Sequence, residues 1–179
     1  PLGQAARFSG ETQAEFGDIE TIGDHPFSIA FWMRTIRKTA KTVLHKISDP
    51  ATRRGLEIYI DRAVQLPGLK RGHTLYIRLA PQWPGSAIEV KSAQKLINGA
   101  THHLTISYDG GGKASGLQLF VDGEPWKTIT VRDTLEGSIA NHSFLAIGDR
   151  AIGQPFKGDI DDLRVYDRPL TPAEIRQLA

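Results

Sequence analysis

The chain has 179 residues, 40% hydrophobic and 23% charged, a composition typical of a soluble globular domain. Twenty-two basic residues against 20 acidic ones give a net charge of +2 without a long basic run, which argues against a nucleic-acid-binding protein. The absence of cysteine excludes disulfides, thiol catalysis and zinc–thiolate sites. We find no signal peptide and no apolar run approaching the roughly 18 residues of a transmembrane helix.

Short runs of alternating apolar residues predict β-strands along most of the chain. Each is rich in β-branched or aromatic residues and is bounded by Gly, Pro, Asp or Asn. They span residues 27–35, 42–48, 55–61, 73–79, 102–109, 116–122, 126–132, 143–149 and 159–167. Many short strands separated by turn signals predict an all-β sandwich or barrel.

The segment 81–100 is the least regular by pattern, and Pro81 and Pro84 predict a turn that displays Trp83. The Gly-rich stretch 108–116 predicts a flexible loop, because it lacks the sequence of a phosphate-binding loop. Neither an internal repeat nor a low-complexity linker occurs, so we expect one domain over residues 1–179, excised from a larger protein.

Two local patterns are specific. Asp122-Gly123 lies between two apolar runs and predicts a type I′ hairpin, which requires positive φ at both residues. Near the end of the chain, Thr171, Pro172 and Glu174 predict a helix start with a capping box and proline at the first helical position. We expect that short C-terminal helix to dock on the sandwich.

Several segments together resemble the laminin-G-like, concanavalin A-like family. They are AARFSG and PFSIAFWMRT near the start, ATHHLTISYDGGGKASGLQLFVDGEPWKT in the second half, and the closing motif FKGDIDDLRVYDRPLTPAEIRQL. The resemblance implies a two-sheet antiparallel jelly roll and the functions found on that fold: lectins, carbohydrate-binding modules, adhesion domains and some glycosidases. WPGSAIEVKS is similar to a subgroup in large exported bacterial proteins with cytochrome-like regions, although no Cys-x-x-Cys-His occurs here.

A glycosidase on this fold needs two carboxylates about 5–9.5 Å apart. Glu57 and Asp61 are four residues apart on one predicted strand, roughly 13 Å, which is too far for such a pair. His102 and His103 are adjacent and therefore point to opposite faces of a strand, so they cannot hold one ion together. We therefore predict no catalytic activity.

Calcium is the one cofactor that we consider, because several domains of the resembled family bind it through oxygen ligands. In a regular strand Asp161 shares a face with Leu163 and Val165, so its carboxylate would point toward the core and need a partner. Asp161 is thus the candidate ligand of a structural Ca²⁺, and the alternative is an Asp that binds backbone amides. Asp159 and Asp162 are predicted to be solvated.

Aromatic residues in turns suggest a sugar-binding surface, since sugar C–H faces stack on aromatic rings. Trp83 and Trp126 lie beside predicted turns, and Tyr76 and Arg78 alternate onto one strand face. From these residues and the resemblance we predict a non-catalytic module, secreted, periplasmic or on a bacterial cell surface, that binds a poly- or oligosaccharide. Neighbouring domains of the parent chain are the other expected partners, and neither nucleic acid nor membrane insertion is expected. The alternatives are a structural or protein-interaction domain that binds no sugar, and a polysaccharide-degrading enzyme on the same fold that would use Glu57 and Asp61.

Overall fold

A computed structural model describes residues 4–36, 41–62, 72–148 and 155–179. These residues form β-strands, a 3-10 turn at Ala114–Gly116 and one helix, α1 (Pro172–Leu178). In chain order the strands are β1 (Ala6–Phe8), β2 (Ala14–Glu15), β3 (Phe27–Thr35), β4 (Lys41–Ile47), β5 (Gly55–Ile60), β6 (Gly72–His73), β7 (Leu75–Gln82), β8 (Ser86–Ser92), β9 (Leu96–Ile97), β10 (Thr101–Tyr108), β11 (Leu117–Val121), β12 (Glu124–Trp126), β13 (Thr128–Asp133), β14 (Ala146–Ile147) and β15 (Gly158–Tyr166). Of the predicted strand 143–149, only β14 forms, and residue 149 lies outside the described residues.

The strands form two large antiparallel sheets, which confirms the predicted two-sheet sandwich. One sheet has six strands in the order β1-β15-β3-β10-β11-β12. The other has seven in the order β13-β8-β7-β5-β4-β14-β2, and β6 and β9 form a small separate pair. Neighbours in these sheets are often distant in sequence, as expected for a jelly roll.

The hydrophobic core lies between the two large sheets. In β3, alternation buries Phe27, Ile29, Phe31 and Met33, each at most 1% exposed, as predicted. The seven-stranded sheet contributes its own alternate residues, including Ile58 and Ile77, to the same cluster. Residues that alternate with these lie on the side of each sheet that faces away from the core, which we call its outer face.

The predicted Asp122-Gly123 hairpin is confirmed, with φ of 53° and 82° at the two turn residues. It joins β11 to β12 in the six-stranded sheet. The predicted strand 126–132, however, is divided at Lys127: β12 belongs to the six-stranded sheet and β13 to the seven-stranded sheet. The chain therefore crosses between the layers at that residue, which strand pattern alone does not reveal.

The expectation that residues 81–100 are irregular is wrong for the middle of that segment. Ser86–Ser92 forms β8, which pairs with β7 on one side and β13 on the other. Ile88 and Val90 are buried in the core, whereas Glu89 and Lys91 lie on the outer face. The turn predicted at Trp83 is confirmed and connects β7 to β8.

Helix α1 closes the fold as predicted. Thr171 and Glu174 form the capping box, and Pro172 occupies the first turn. Fully buried Ile175 packs with Leu170 and Phe120, so the helix covers part of the outer face of the six-stranded sheet. Among the described residues, no helix has the length and apolar character needed to cross a bilayer.

The closing strand β15 contains a buried carboxylate, so the prediction that Asp159 is solvated is wrong. Asp159 is 3% exposed and lies directly between Arg7 of β1 and Arg34 of β3. Arg7 Nε donates to Asp159 Oδ1 at 2.9 Å and Arg34 Nε to Oδ2 at 2.8 Å. Burial raises the pKa of Asp159, but these hydrogen bonds outweigh it and lower the pKa below its usual value.

We expect Asp159→Asn to destabilise the fold at neutral pH by about 1–3 kcal/mol, because it removes charged hydrogen bonds to two arginines. A carboxyl whose folded pKa is depressed stabilises the protein above its unfolded pKa of about 3.9, and that contribution is lost as pH falls through the folded value. Urea unfolding from pH 7 down to pH 3 measures this. The difference between wild type and variant should shrink on acidification, and a constant difference would contradict the assignment.

Candidate functional site

The outer face of the seven-stranded sheet carries two rows of side chains that cross the strands. Directly paired residues on neighbouring antiparallel strands project to the same side, so the register defines each row. The charged row consists of His45, Glu57, Arg78, Glu89 and Arg132. The tyrosine row beside it consists of Tyr59, Tyr76, Lys91 and Ile129.

Arg78 is the centre of the charged row. It is 7% exposed and lies between two buried carboxylates, those of Glu57 and Glu89. Its Nη1 donates to Glu57 Oε2 at 2.8 Å, and its Nη2 and Nε donate to Glu89 Oε1 at 2.7 and 3.0 Å. One guanidinium thus joins β5, β7 and β8, and its fork geometry suits this two-sided arrangement.

Other side chains complete this ion-pair network. Arg53 Nη1 donates to both oxygens of Glu57, at 3.0 and 2.9 Å, and the Thr42 hydroxyl donates to Oε1 at 3.2 Å. On the other side, the Tyr59 hydroxyl donates to Glu89 Oε1 at 2.5 Å. Buried carboxylates are costly unless they are paired, and here each is held by several donors.

The tyrosine row provides a flat aromatic surface beside these charges. The rings of Tyr59 and Tyr76 stack at 4.8 Å between centroids with an interplanar angle of 9°. Burial, followed by the hydrogen bond to Glu89, raises the pKa of Tyr59, and burial also raises that of Tyr76. Both tyrosines therefore stay neutral hydrogen-bonding groups at physiological pH.

Trp83 lies above Arg78. The guanidinium carbon of Arg78 is 3.6 Å from the centroid of the indole ring, and that of Arg132 is 5.2 Å from it. The Trp83 amide donates to the Thr52 carbonyl at 2.7 Å, which ties the β7–β8 turn to the loop before β5. Trp83 is half-buried, so part of the ring remains accessible to a ligand.

Three of the four predicted sugar-binding residues, Tyr76, Arg78 and Trp83, thus lie together on one face. Trp126 lies elsewhere: it is opposite Leu119 in the six-stranded sheet and packs against the core between the layers. Glu89 and Arg132 were not predicted. The alternation of acidic and basic with apolar residues in SAIEVKS was the signal that could have identified Glu89.

The structure does not pair Glu57 with Asp61. Asp61 lies beyond β5, where its Oδ1 accepts from the Thr74 amide at 2.7 Å. The carboxylate across from Glu57 is instead that of Glu89, with Arg78 bound between them. Both carboxylates are engaged by this arginine, so neither is placed as the proton donor of a glycosidase.

Asp161 does not point toward the core as predicted. A bulge between Asp161 and Arg164 interrupts the alternation of β15, and Asp161 is paired with Trp32 on the outer face. Asp162 takes a positive φ of 51°, and its amide donates to Asp161 Oδ1 at 2.9 Å. Calcium requires about six to eight oxygen ligands, and one carboxylate that already caps a bulge does not fit that requirement.

A different group of potential metal ligands lies at one end of the sandwich. Asp18, Glu20 and His142 place ligand atoms within 4.8 Å of one another. Asp18 accepts from the buried Lys46 ammonium at 2.8 Å and from His142 Nδ1 at 3.0 Å, and these hydrogen bonds lower the pKa of Asp18. Because Lys46 already supplies a positive charge there, the group does not fit calcium.

Comparisons with known proteins identify the family and the fold of this chain. A laminin G-type family model, described as concanavalin A-like lectin/glucanases superfamily, matches residues 8–176. A comparison with curated proteins finds no match.

Solved structures with the same fold include proteins of several organisms. The CBM40 module of Ruminococcus gnavus IT-sialidase, bound to α2,3-sialyllactose, is 14% identical, with a TM-score of 0.69 over 98% of this chain and 96% of that one. Domain 4 of an extracellular arabinanase from Geobacillus stearothermophilus, in complex with arabinotriose, is 24% identical, with a TM-score of 0.66 over 98% of this chain and 76% of that one. A heptameric pentraxin from Limulus polyphemus is 14% identical, with a TM-score of 0.66 over 95% of this chain and 78% of that one. At these identities the likeness shows the fold alone.

We expect Arg78→Met to destabilise the protein by about 3–5 kcal/mol, because it leaves two buried carboxylates without their shared cation. The matched control is Arg164→Met, which removes an exposed pair with Asp162 and should cost about 1 kcal/mol or less. Urea unfolding of both variants measures the difference. Equal, small losses would show that the buried network contributes no more than a surface ion pair.

Proposed function

The chain belongs to the concanavalin A-like lectin/glucanases superfamily, and on that premise we propose that it is a non-catalytic carbohydrate-binding module. The glycan lies on the outer face of the seven-stranded sheet, around Trp83. The observation that supports this most is the half-buried Trp83 ring above Arg78, with the stacked Tyr59 and Tyr76 on the same face.

The proposed mode of binding follows from the chemistry of this surface. A pyranose or furanose ring stacks its C–H face on an aromatic ring and presents its hydroxyls to neighbouring polar groups. Here the indole and the tyrosine rings provide the stacking surface, and Lys91 and Arg132 provide donors at its border. The Glu57–Arg78–Glu89 network fixes the strands underneath, so little ordering accompanies binding.

We place the module in an exported bacterial protein, where it is secreted, periplasmic or on the cell surface. There it would hold the parent chain, with its neighbouring domains, on a poly- or oligosaccharide. The extracellular arabinanase domain supports this setting by analogy of fold.

The alternative is an interaction domain that binds no sugar. Exposed aromatic residues at one edge of the seven-stranded sheet support this alternative. Phe16 and Phe144 are 44% and 52% exposed beside β2 and β14. These strands form the edge of the seven-stranded sheet opposite to β13. A contact with another domain at this edge would therefore leave the face around Trp83 accessible.

As a finer part of the proposal, Asp161 stabilises the closing strand, and its two possible roles are to hold a calcium ion or to accept backbone amides. The observed contact, in which its carboxylate accepts the Asp162 amide, favours the second role. Thermal melting of wild type and Asp161→Ala in calcium and in chelator separates the two roles. We expect the variant to melt at a lower temperature and neither protein to respond to calcium, whereas a calcium-dependent increase confined to wild type would establish the ion.

We expect Trp83→Ala to weaken glycan binding at least about tenfold, a loss of 1.4 kcal/mol, with little change in fold. Trp126→Ala should instead destabilise the protein by about 2 kcal/mol, because it removes an indole packed on the core. A glycan array identifies ligands, and calorimetry on wild type and both variants gives their affinities. No binding to any glycan of a broad array would refute the proposed function, and an affinity loss confined to Trp126→Ala would move the site to the other sheet.

A further inference from the structure

Arg132 differs from the other arginine of the charged row in having no carboxylate partner. Arg78 is bound by two carboxylates. Arg132 makes no ion pair or hydrogen bond with any residue that the structure describes, and its Nε is buried without an acceptor. The two terminal nitrogens of Arg132 are not among the buried atoms and have no acceptor among the described residues, so they are the donors that a ligand on this face can reach.

Glu89 is the carboxylate that lies across from Arg132, but the two side chains do not form an ion pair. Glu89 is directly opposite Arg132, but its Oε1 already accepts from Arg78 and from the Tyr59 hydroxyl. No contact within ion-pair distance joins Glu89 and Arg132 among the described pairs. The hydrogen bonds to Oε1 from Arg78 and Tyr59 hold Glu89 in the network, and the guanidinium of Arg132 has no carboxylate partner among the described residues.

A bulge places Arg132 on this face. The pairing of β13 with β8 shifts between Thr130 and Arg132, so that Arg132 is opposite Glu89. Without this shift, strict alternation would place Val131 at that position, with Arg132 pointing the other way. The arginine thus lies beside the indole, with 5.2 Å between its guanidinium carbon and the Trp83 ring centroid.

Lys91 adds a second positive charge to the same surface. It lies on β8 between Tyr76 and Ile129 in the tyrosine row, and it is half-buried. It has no carboxylate partner among the residues that the structure describes. The border of the stacking surface on the β13 side is therefore cationic.

We infer that the glycan bound here contains acidic sugars and that Arg132 binds the carboxylate of one of them, an inference that rests on the proposed function. The planar fork of a guanidinium matches a carboxylate with two parallel hydrogen bonds. At 5.2 Å from the ring centroid, Arg132 can reach the carboxylate of a sugar whose ring stacks on Trp83. Arg132 is then the specificity-determining residue, while Trp83 supplies stacking that neutral sugars share.

The test compares acids with their neutral esters. Oligosaccharides of galacturonic, glucuronic and mannuronic acid are titrated by calorimetry, each as the free acid and as its methyl ester. We expect at least one free acid to bind about tenfold or more tightly than its ester. A sulfated galactan oligosaccharide is the further arm, and tighter binding of it than of every free acid would overturn the carboxylate assignment.

The variants separate a specific contact from general charge. Arg132→Gln should remove the preference for the acid, and Arg132→Lys should restore only part of it, because an ammonium lacks the fork. Arg176→Gln on the exposed side of α1 removes the same charge and should leave the preference unchanged. Equal loss in Arg132→Gln and Arg176→Gln would overturn the inference in favour of net charge.

Failure of this inference is distinguishable from failure of the proposed function. If neutral glycans bind in a manner sensitive to Trp83→Ala and no acid is preferred, only the assignment of Arg132 is wrong. If neither acids, esters nor any glycan of a broad array binds, both the inference and the proposed function are wrong.

Discussion

The ion pairs of Arg78 are the constraint on which the candidate site depends. A guanidinium that is almost fully buried must be matched, and here Glu57 and Glu89 match it from the two neighbouring strands. This arrangement fixes β5, β7 and β8 against one another. It also gives Trp83 a flat cationic surface on which to lie, 3.6 Å from the guanidinium carbon. The position of the indole is thus a consequence of charge pairing below it.

The same device occurs in the other sheet. Arg7, Asp159 and Arg34 are directly opposite one another on three neighbouring strands, with the buried carboxylate in the middle. In both sheets, acidic and basic side chains alternate from one strand to the next on the outer face. Each buried carboxylate therefore has an oppositely charged neighbour. The difference is what lies at the end of the row. The row in the six-stranded sheet ends at Arg7, whose side chain is 71% exposed to water. The charged row of the seven-stranded sheet ends at Arg132, beside the ring of Trp83.

Alternation and turn chemistry predicted much of this from the sequence, and bulges account for most of what they missed. Period-two patterning placed Tyr76 and Arg78 on one face, and the prolines placed Trp83 in a turn, so the proximity of these three residues was predictable, while their role in binding stays a prediction. The directions of Asp161 and Arg132 could not be found in this way, because a bulge directly after Asp161 and another directly before Arg132 reverse the expected faces. Such pairings depend on the neighbouring strand, and β8 was itself not predicted.

The most direct test of the glycan site uses the three tryptophans of the chain as internal reporters. Each indole N–H gives its own signal in a two-dimensional ¹H–¹⁵N NMR spectrum, and single Trp→Phe variants assign the three signals. Titration with a glycan that binds in calorimetry should shift the Trp83 signal with the same dissociation constant, while the signals of Trp32 and Trp126 stay in place. A shift confined to Trp126 or Trp32, with Trp83 unchanged at saturation, would contradict a site on the outer face of the seven-stranded sheet.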